Sequence, residues 1–238
     1  MGFQYKNLFT RRVLAMLAVV VVGGLIFSSY TIYNLVINTE KTMSSYIPQG
    51  HYPKYPKLNL KNKTRQQIAE IMRGEYLVKV GDCIACHTTP AKGSKAFSGG
   101  LAFQTPFGVL YSPNITPDKE TGIGKWNDAD FIRAVHDGIS PESYYYYPAF
   151  PYLYFNQITT PDVMAIKAYL DSVPAVNKKK PENNMMFPFN WRFLQLGWRV
   201  LFFYAHNDGP YQYDAKHTDQ WNVGKIAEIM PKPGIIKM

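Results

Sequence analysis

Cysteine is scarce in this 238-residue chain and occurs only at Cys83 and Cys86. Two cysteines exclude a disulfide scaffold and a four-cysteine zinc site. Charged residues make up only 18% of the chain, and its net charge of +9 includes no long basic run, so we do not expect nucleic-acid binding. A hydrophobic content of 46% excludes a long disordered chain and predicts a packed domain. The mildly basic net charge favours binding to anionic lipid or to an acidic protein partner.

Acidic residues are absent before Glu40, and no charge of either sign occurs from Val13 to Ile37. A helix rises about 1.5 Å per residue, so this stretch could cross a hydrocarbon core of about 30 Å. Arg11 and Arg12 precede it, and positive charge marks the cytoplasmic side. We expect one uncleaved transmembrane helix in the cytoplasmic membrane, with the rest of the chain in the periplasm. A cleaved signal peptide is the alternative, which the long apolar run and the lack of an Ala-x-Ala site disfavour.

The two cysteines belong to the sequence Cys83-Ile84-Ala85-Cys86-His87, which is the attachment pattern of haem c. Two thiols three residues apart at a helix start can bond both vinyl groups of one porphyrin, and the adjacent His can present a ring nitrogen to the iron. A redox-active dithiol would need a thioredoxin-like βαβ context, and a zinc knuckle would need a second Cys/His pair. We therefore predict one covalent haem c on Cys83 and Cys86, with His87 as the proximal iron ligand.

Apolar residues at three- and four-residue intervals predict helices on both sides of this motif. Loops rich in Gly and Pro separate the helices, and no strand pattern of any length competes with them. The predicted fold class is mainly α, a class I cytochrome c domain in which helices and long loops surround one haem. The predicted helices run from the cap Thr64 to near Gly81, from Asn127 to His136, and from Thr160 to before Pro174.

Several uncommon strings follow one another between residues 70 and 204, and they identify a family. The chain resembles the first haem domain of the cytochrome c subunits that serve membrane-bound alcohol, gluconate and aldehyde dehydrogenases. The strings include Gly81-Asp82-Cys83-x-Ala85-Cys86-His87-Thr88, Gly99-Gly100-Leu101, Thr105-Pro106-Phe107-Gly108, Ser112-Pro113-Asn114-Ile115-Thr116-Pro117-Asp118 and Tyr147-Pro148-Ala149-Phe150-Pro151-Tyr152.

This resemblance implies an electron-transfer protein with no substrate chemistry of its own. It would pass single electrons in the periplasm between a respiratory dehydrogenase or quinol-linked complex and a downstream acceptor such as an oxidase. Its expected partners are membrane lipid and redox proteins. Members of the family often carry three haem domains, whereas this chain has one attachment motif. We therefore expect a one-haem relative.

The second axial ligand is the main open question, because Phe150 stands where the family usually has Met. We expect His136 to bind the iron opposite His87, which would give a lower potential than His/Met ligation. An open iron would permit gas or peroxide chemistry, so a haem enzyme or sensor is an alternative function. A structural haem subunit of a respiratory complex is another. The other candidates for the sixth position are Met164, Met185, Met186 and an open or water-bound site.

The stretch 187–204 is dense in aromatic residues and carries Arg192 and Arg199 seven positions apart, on nearly one helical face. Two placements are open: on the membrane surface with the arginines at the headgroups, or packed on the haem domain. The predicted organisation is a cytoplasmic N-terminus (1–12), a transmembrane anchor (13–37), a linker (38–63), a cytochrome c domain (64–180), an aromatic-rich helical extension (181–206) and a C-terminal tail without a fold signal (207–238).

Overall fold

The computed structural model describes residues 15–30, 33, 50–204 and 209–229. The chain divides into two units, Met1–Ile47 and Pro48–Met238. In the first unit, residues 15–30 form helix α1, whose side chains are all exposed. The predicted cytoplasmic segment 1–12 and the other parts of the predicted anchor, residue 33 excepted, lie outside the described residues. Among the helices described, none is both long and apolar enough to cross a membrane.

The second unit combines short helices with a small antiparallel sheet. The elements are α2 (Arg65–Val80), α3 (Cys83–Cys86), β1 (Ala102–Thr105), β2 (Gly108–Tyr111), α4 (Asp128–Asp137), α5 (Tyr152–Phe155), α6 (Thr160–Leu170), β3 (Asn184–Met185), α7 (Gln195–Trp198) and α8 (Asp219–Ile229). The sheet order is β1-β2-β3. Helix α7 is continuous with a 3₁₀ turn before it, Arg192–Leu194, and a π-helical turn after it, Arg199–Phe203.

Helices α2 and α6 pack against each other in the core and confirm two of the predicted helices. Helix α2 begins after the cap Thr64, whose hydroxyl accepts from the backbone N–H of Gln67 in a capping box. Helix α6 begins after the cap Thr159 and carries proline in its first turn. The two backbones nearly touch at Gly74, where a Cβ would lie 1.8 Å from the carbonyl oxygen of Ala165. The third predicted helix is α4, which Asn127 caps and Gly138 ends.

The sheet corrects the expectation that the chain has no strands. Strands β1 and β2 form a hairpin with Ala102 opposite Tyr111, and β3 joins β2 with Met185 opposite Gly108. The hydroxyl of Thr105 closes the hairpin by donating to the carbonyl of Gly108 at 2.7 Å. Strands of two to four residues contain too few alternations of side-chain direction to produce a readable pattern.

The packed unit extends beyond the predicted limits of 64–180 on both sides. In the predicted linker, the Tyr52 hydroxyl donates to the carbonyl of Ala85 at 3.2 Å, and Tyr55 packs against the core. Residues 209–229 of the predicted tail are also ordered on the core. In helix α8, Asn222 is fully buried and Ile226 is 1% exposed. The predicted tail was expected to have no fold signal, and the helix corrects that expectation.

The aromatic-rich extension packs on the domain through both of its arginines. Arg199 is fully buried, and Arg192 donates to the carbonyl of Tyr145 at 3.1 Å. These contacts place the segment on the domain and keep Arg199 away from any lipid headgroup. Residues 192–203 of the predicted extension form helical turns that alternate between 3₁₀, α and π geometry.

Candidate functional site

The Cys83–His87 motif forms a single helical turn directly after α2. Asp82 adopts a left-handed conformation with φ of 46°, which lets the chain turn between the two helices. The backbone N–H of His87 then donates to the carbonyl of Cys83 at 3.0 Å. Residues three apart lie on one helical face, so both thiols share a side of α3. The thiols are free, and Cys83, Cys86 and His87 are all partly exposed.

The ring of His87 is oriented by its Nδ1 atom, which lies 2.9 Å from the carbonyl oxygen of Pro113. A carbonyl oxygen can only accept a hydrogen bond, so Nδ1 carries the proton and Nε2 keeps a free lone pair. Metal-binding histidines usually have their second nitrogen held in this way. Burial also lowers the pKa of His87, which favours the neutral ring. The imidazole therefore has the tautomer that iron ligation through Nε2 requires.

The position of Pro113 depends on close backbone packing at Gly99. The N–H of Gly99 donates to the carbonyl of His87 at 2.8 Å. Gly99 therefore contacts both residues of the hydrogen bond between the His87 ring and Pro113. Gly99 has a φ of +69°, and a Cβ there would lie 2.5 Å from the carbonyl carbon of Pro113. Both conditions require glycine. Sequence reasoning noted the strings around Gly99 and Pro113 but assigned them no role at the histidine.

The two thiols are strongly shifted away from the reactive thiolate form. Burial raises the pKa of Cys83 to about 12 and that of Cys86 to about 11, and the charge of Asp82 adds to both shifts. Reactive redox cysteines have the opposite property, a lowered pKa. Protonated thiols instead suit addition across a vinyl group, in which sulfur bonds to one carbon and hydrogen to the other. The raised pKa values therefore disfavour a redox-active dithiol.

In the part of the chain that the structure describes, no group of three or more His, Cys, Asp or Glu side chains could hold a metal ion. Attachment of haem c needs only the two thiols and one imidazole of a single segment. Those three groups are present together on and next to α3.

His136 lies in the last turn of α4 and is buried. Its Nε2 atom is 2.8 Å from the carbonyl oxygen of Ile158, so this nitrogen is the donor and Nδ1 holds the free lone pair. Burial lowers the pKa of His136 and favours the neutral ring. As an iron ligand, His136 would have to use Nδ1 or give up its bond to Ile158. Its role as the second axial ligand stays a prediction.

The methionine candidates lie in two different elements. Met164 is on α6 and partly buried, whereas Met185 is in β3 beside Gly108. The side chain of Met186 is half exposed, and its backbone N–H donates to the carbonyl of Phe107 at 2.8 Å. Each of these remains an untested alternative.

Phe150, which stands in the family's methionine position, belongs to an aromatic cluster. Its ring contacts those of Tyr146 and Phe155 with centroids 5.9 and 5.6 Å apart. One of the four consecutive tyrosines, Tyr147, donates its hydroxyl to the carbonyl of Phe189 at 2.9 Å. Position 150 therefore carries an aromatic side chain that packs against other aromatic side chains, and it lacks the thioether that the family usually has there.

No family model matches the chain. It is 49% identical over 156 residues to a nicotinate dehydrogenase subunit of Pseudomonas putida, an alignment that covers 66% of this chain and 13% of that protein. It is 39% identical over 135 residues to a diheme cytochrome c-type protein of Cereibacter sphaeroides, covering 56% and 46%. It is 40% identical over 135 residues to the gluconate 2-dehydrogenase cytochrome c subunit of Pantoea cypripedii, covering 56% and 30%.

The predicted resemblance is confirmed. Relatives at 37–49% identity include cytochrome c subunits of alcohol, gluconate and fructose dehydrogenases. The chain spans less than half the length of the three relatives compared above.

Proposed function

We propose that this chain is a monohaem c-type cytochrome that accepts electrons from a dehydrogenase subunit and passes them to a downstream acceptor. Cys83 and Cys86 would hold the porphyrin through thioether bonds, and His87 would ligate the iron through Nε2. The haem, when bound, supplies a reversible one-electron change of its iron. The observation that carries the proposal is the 2.9 Å contact between His87 Nδ1 and the carbonyl of Pro113.

That contact supports ligation for a reason that does not depend on the sequence motif. The bond to Pro113 spans 26 residues and leaves the Nε2 lone pair of a neutral ring unused. Orienting bonds of this kind raise the basicity of the ligating nitrogen and fix the ring plane. The protein's own contribution is thus to hold the proton on Nδ1 and to restrict rotation of the imidazole.

The names of several relatives support a dehydrogenase as the electron donor, since they are cytochrome c subunits of such enzymes. A single haem relays one electron at a time, so the removal of two electrons from a substrate would require two successive transfers through this chain.

The proposed location is the outer face of the cytoplasmic membrane, with an uncleaved anchor at 13–37. The charge-free stretch behind Arg11 and Arg12 supports this topology, as does the exposed apolar surface of α1. N-terminal sequencing of the mature protein should begin at Met1 or Gly2, and washing with carbonate should not release it. A mature start near residue 29 would contradict the anchor and leave the export prediction intact.

The test of electron transfer uses native membranes that contain the chain. We expect its ferric haem to become ferrous on addition of a substrate of the donor dehydrogenase, with nicotinate, gluconate, fructose and a primary alcohol as the first candidates. The variant His87→Ala should lose this response, whereas His217→Ala, an exposed histidine on the C-terminal segment, should keep it. A haem that no dehydrogenase substrate reduces, in membranes where the dehydrogenases are active, would contradict the proposal.

Two observations favour a second candidate function, a haem enzyme or sensor with an open coordination site. The usual methionine is replaced by Phe150, and Nε2 of His136 is already bonded to Ile158. Rapid binding of carbon monoxide by the ferrous wild-type protein would support this alternative. A low-spin spectrum that carbon monoxide does not change would support the electron carrier.

A further inference from the structure

The segment 186–204 has its charged side chains directed toward the domain and most of its large apolar side chains directed away from it. Phe193 and Leu201 are 64% and 65% exposed, whereas Phe203 is buried. We name this surface the apolar face. It consists of Phe187, Trp191, Phe193, Leu196, Val200 and Leu201.

The inward side of the segment is held by two guanidinium groups. Arg199 is 1% exposed, donates from Nη1 to the carbonyl of Asp137, and lies over the rings of Tyr145 and Phe203 at 4.7 and 4.5 Å. Arg192 lies over the ring of Tyr147 at 4.1 Å. These contacts fix the rotation of the helical turns and therefore decide which side chains face away from the domain.

This polarity is the reverse of what a helix on a water-exposed domain adopts. Such a helix buries its apolar stripe and leaves its charges in water. Here a cation is removed from water while aromatic and aliphatic side chains remain outside, and both features carry a free-energy cost in an aqueous environment. Apolar surroundings on the outer side of the segment would remove the cost of the exposed apolar side chains.

We infer that the apolar face lies in the interfacial region of a phospholipid bilayer containing anionic lipid. Residues 186–204 contain no acidic side chain. Lys179 and Lys180 precede them, and Glu182 is the one charged residue in between. Helices that lie in the membrane surface typically combine apolar side chains with basic ones. The inference rests on the proposed function to the extent that the anchor keeps the domain beside a membrane.

Two further features favour lipid over a protein partner. A protein interface carries a polar rim and roughly one hydrogen bond per 100–200 Å², whereas the apolar face offers the indole N–H of Trp191 as its one side-chain donor. Tryptophan is also enriched at the level of lipid headgroups. The helical turns of 192–203 are too short to span a hydrocarbon core, so the segment would lie along the surface.

The test uses the full-length haem-loaded protein in nanodiscs of phosphatidylcholine and phosphatidylglycerol. A small fraction of the phospholipid carries a photoactivatable group in its acyl chain, and mass spectrometry maps the insertion sites after irradiation. We expect labels at Phe193 and Leu201. Met72 and Tyr76 on α2 are matched controls, because they are apolar and 49% and 44% exposed, and they should stay unlabelled.

The labelling pattern separates this inference from the proposed anchor. Labels within 13–37 without any on the apolar face would overturn the inference alone. Labels on the apolar face without any within 13–37 would contradict the anchor and uphold the inference. A protein that acquires no label in either region would contradict both.

A variant and a second crosslink complete the test. Phe193→Asp should abolish labelling at Leu201 without changing haem content, whereas Met72→Asp should leave that labelling unchanged. In native membranes, a photoreactive benzoylphenylalanine at position 193 should capture lipid. Capture of a polypeptide in place of lipid would show a protein interface and overturn the inference.

Discussion

Substitution of Gly99 by alanine should disturb the imidazole of His87 by displacing the carbonyl of Pro113 to which the ring is bonded. The new Cβ would lie 2.5 Å from the carbonyl carbon of Pro113, and ordinary contact begins at 3.4 Å, so the two backbones must separate by about 0.9 Å. The acceptor of His87 Nδ1 is the oxygen of that same carbonyl, at 2.9 Å. A separation of this size lengthens the bond beyond the usual range of about 2.7–3.2 Å.

The expected loss of stability has two components. A left-handed backbone costs a non-glycine residue roughly 1–2 kcal/mol, and a lost hydrogen bond costs about 0.5–1.5 kcal/mol more. Gly93 provides a matched control, because it has a φ of +84° and no heavy atom within 4 Å of a built Cβ. Gly93→Ala should therefore show only the backbone component. Denaturant unfolding of both haem-loaded variants measures the difference, which should be about 1 kcal/mol.

The midpoint potential of the haem distinguishes this mechanism from simple destabilisation. The bond to Pro113 increases the basicity of the ring and favours the ferric form, so its loss in Gly99→Ala should raise the potential. Gly93→Ala should leave the potential at the wild-type value. If both variants have equal stability and equal potential, Gly99 does not position Pro113 and the reasoning is refuted.

Three more substitutions test other parts of the structure. Gly74→Ala should lower the free energy of unfolding by more than about 3 kcal/mol, because its Cβ would lie 1.8 Å from the carbonyl of Ala165, and thermal unfolding checks this. Asn222→Ala should lower the free energy of unfolding by about 1–3 kcal/mol, because it removes a fully buried amide. The control Gln220→Ala, on the exposed side of α8, should lower it by under about 0.5 kcal/mol. Equal losses of stability in urea titrations would contradict the docking of α8 on the core. His136→Ala should give a high-spin haem that binds carbon monoxide, and an unchanged low-spin spectrum would exclude His136 as a ligand.

Local signals made the long helices predictable from sequence. Thr64 and Asn127 are capping residues with a side-chain partner three positions later, and Pro161 stands in a first helical turn. Each of these signals acts within one turn of helix, so no knowledge of the tertiary fold was needed. The helices accordingly begin within one residue of the predicted positions.

Features that depend on distant residues could not be read from the sequence in the same way. The spacing of Arg192 and Arg199 correctly placed both on one helical face, but only the contacts with Tyr145 and Asp137 decide that this face points inward. The orienting bond of His87 joins positions 26 residues apart and uses a backbone carbonyl, a group that every residue has. No side-chain pattern could therefore have selected Pro113.

The most direct test of the central claim is the intact mass of the chain together with its pyridine haemochrome spectrum after denaturation. We expect a mass increase of one haem per chain that survives unfolding, and a spectrum of haem bound through two thioethers. Cys83→Ala should leave at most one thioether and sharply lower the haem content. A wild-type chain at the mass of the bare polypeptide, with no haem retained after denaturation, would contradict the account.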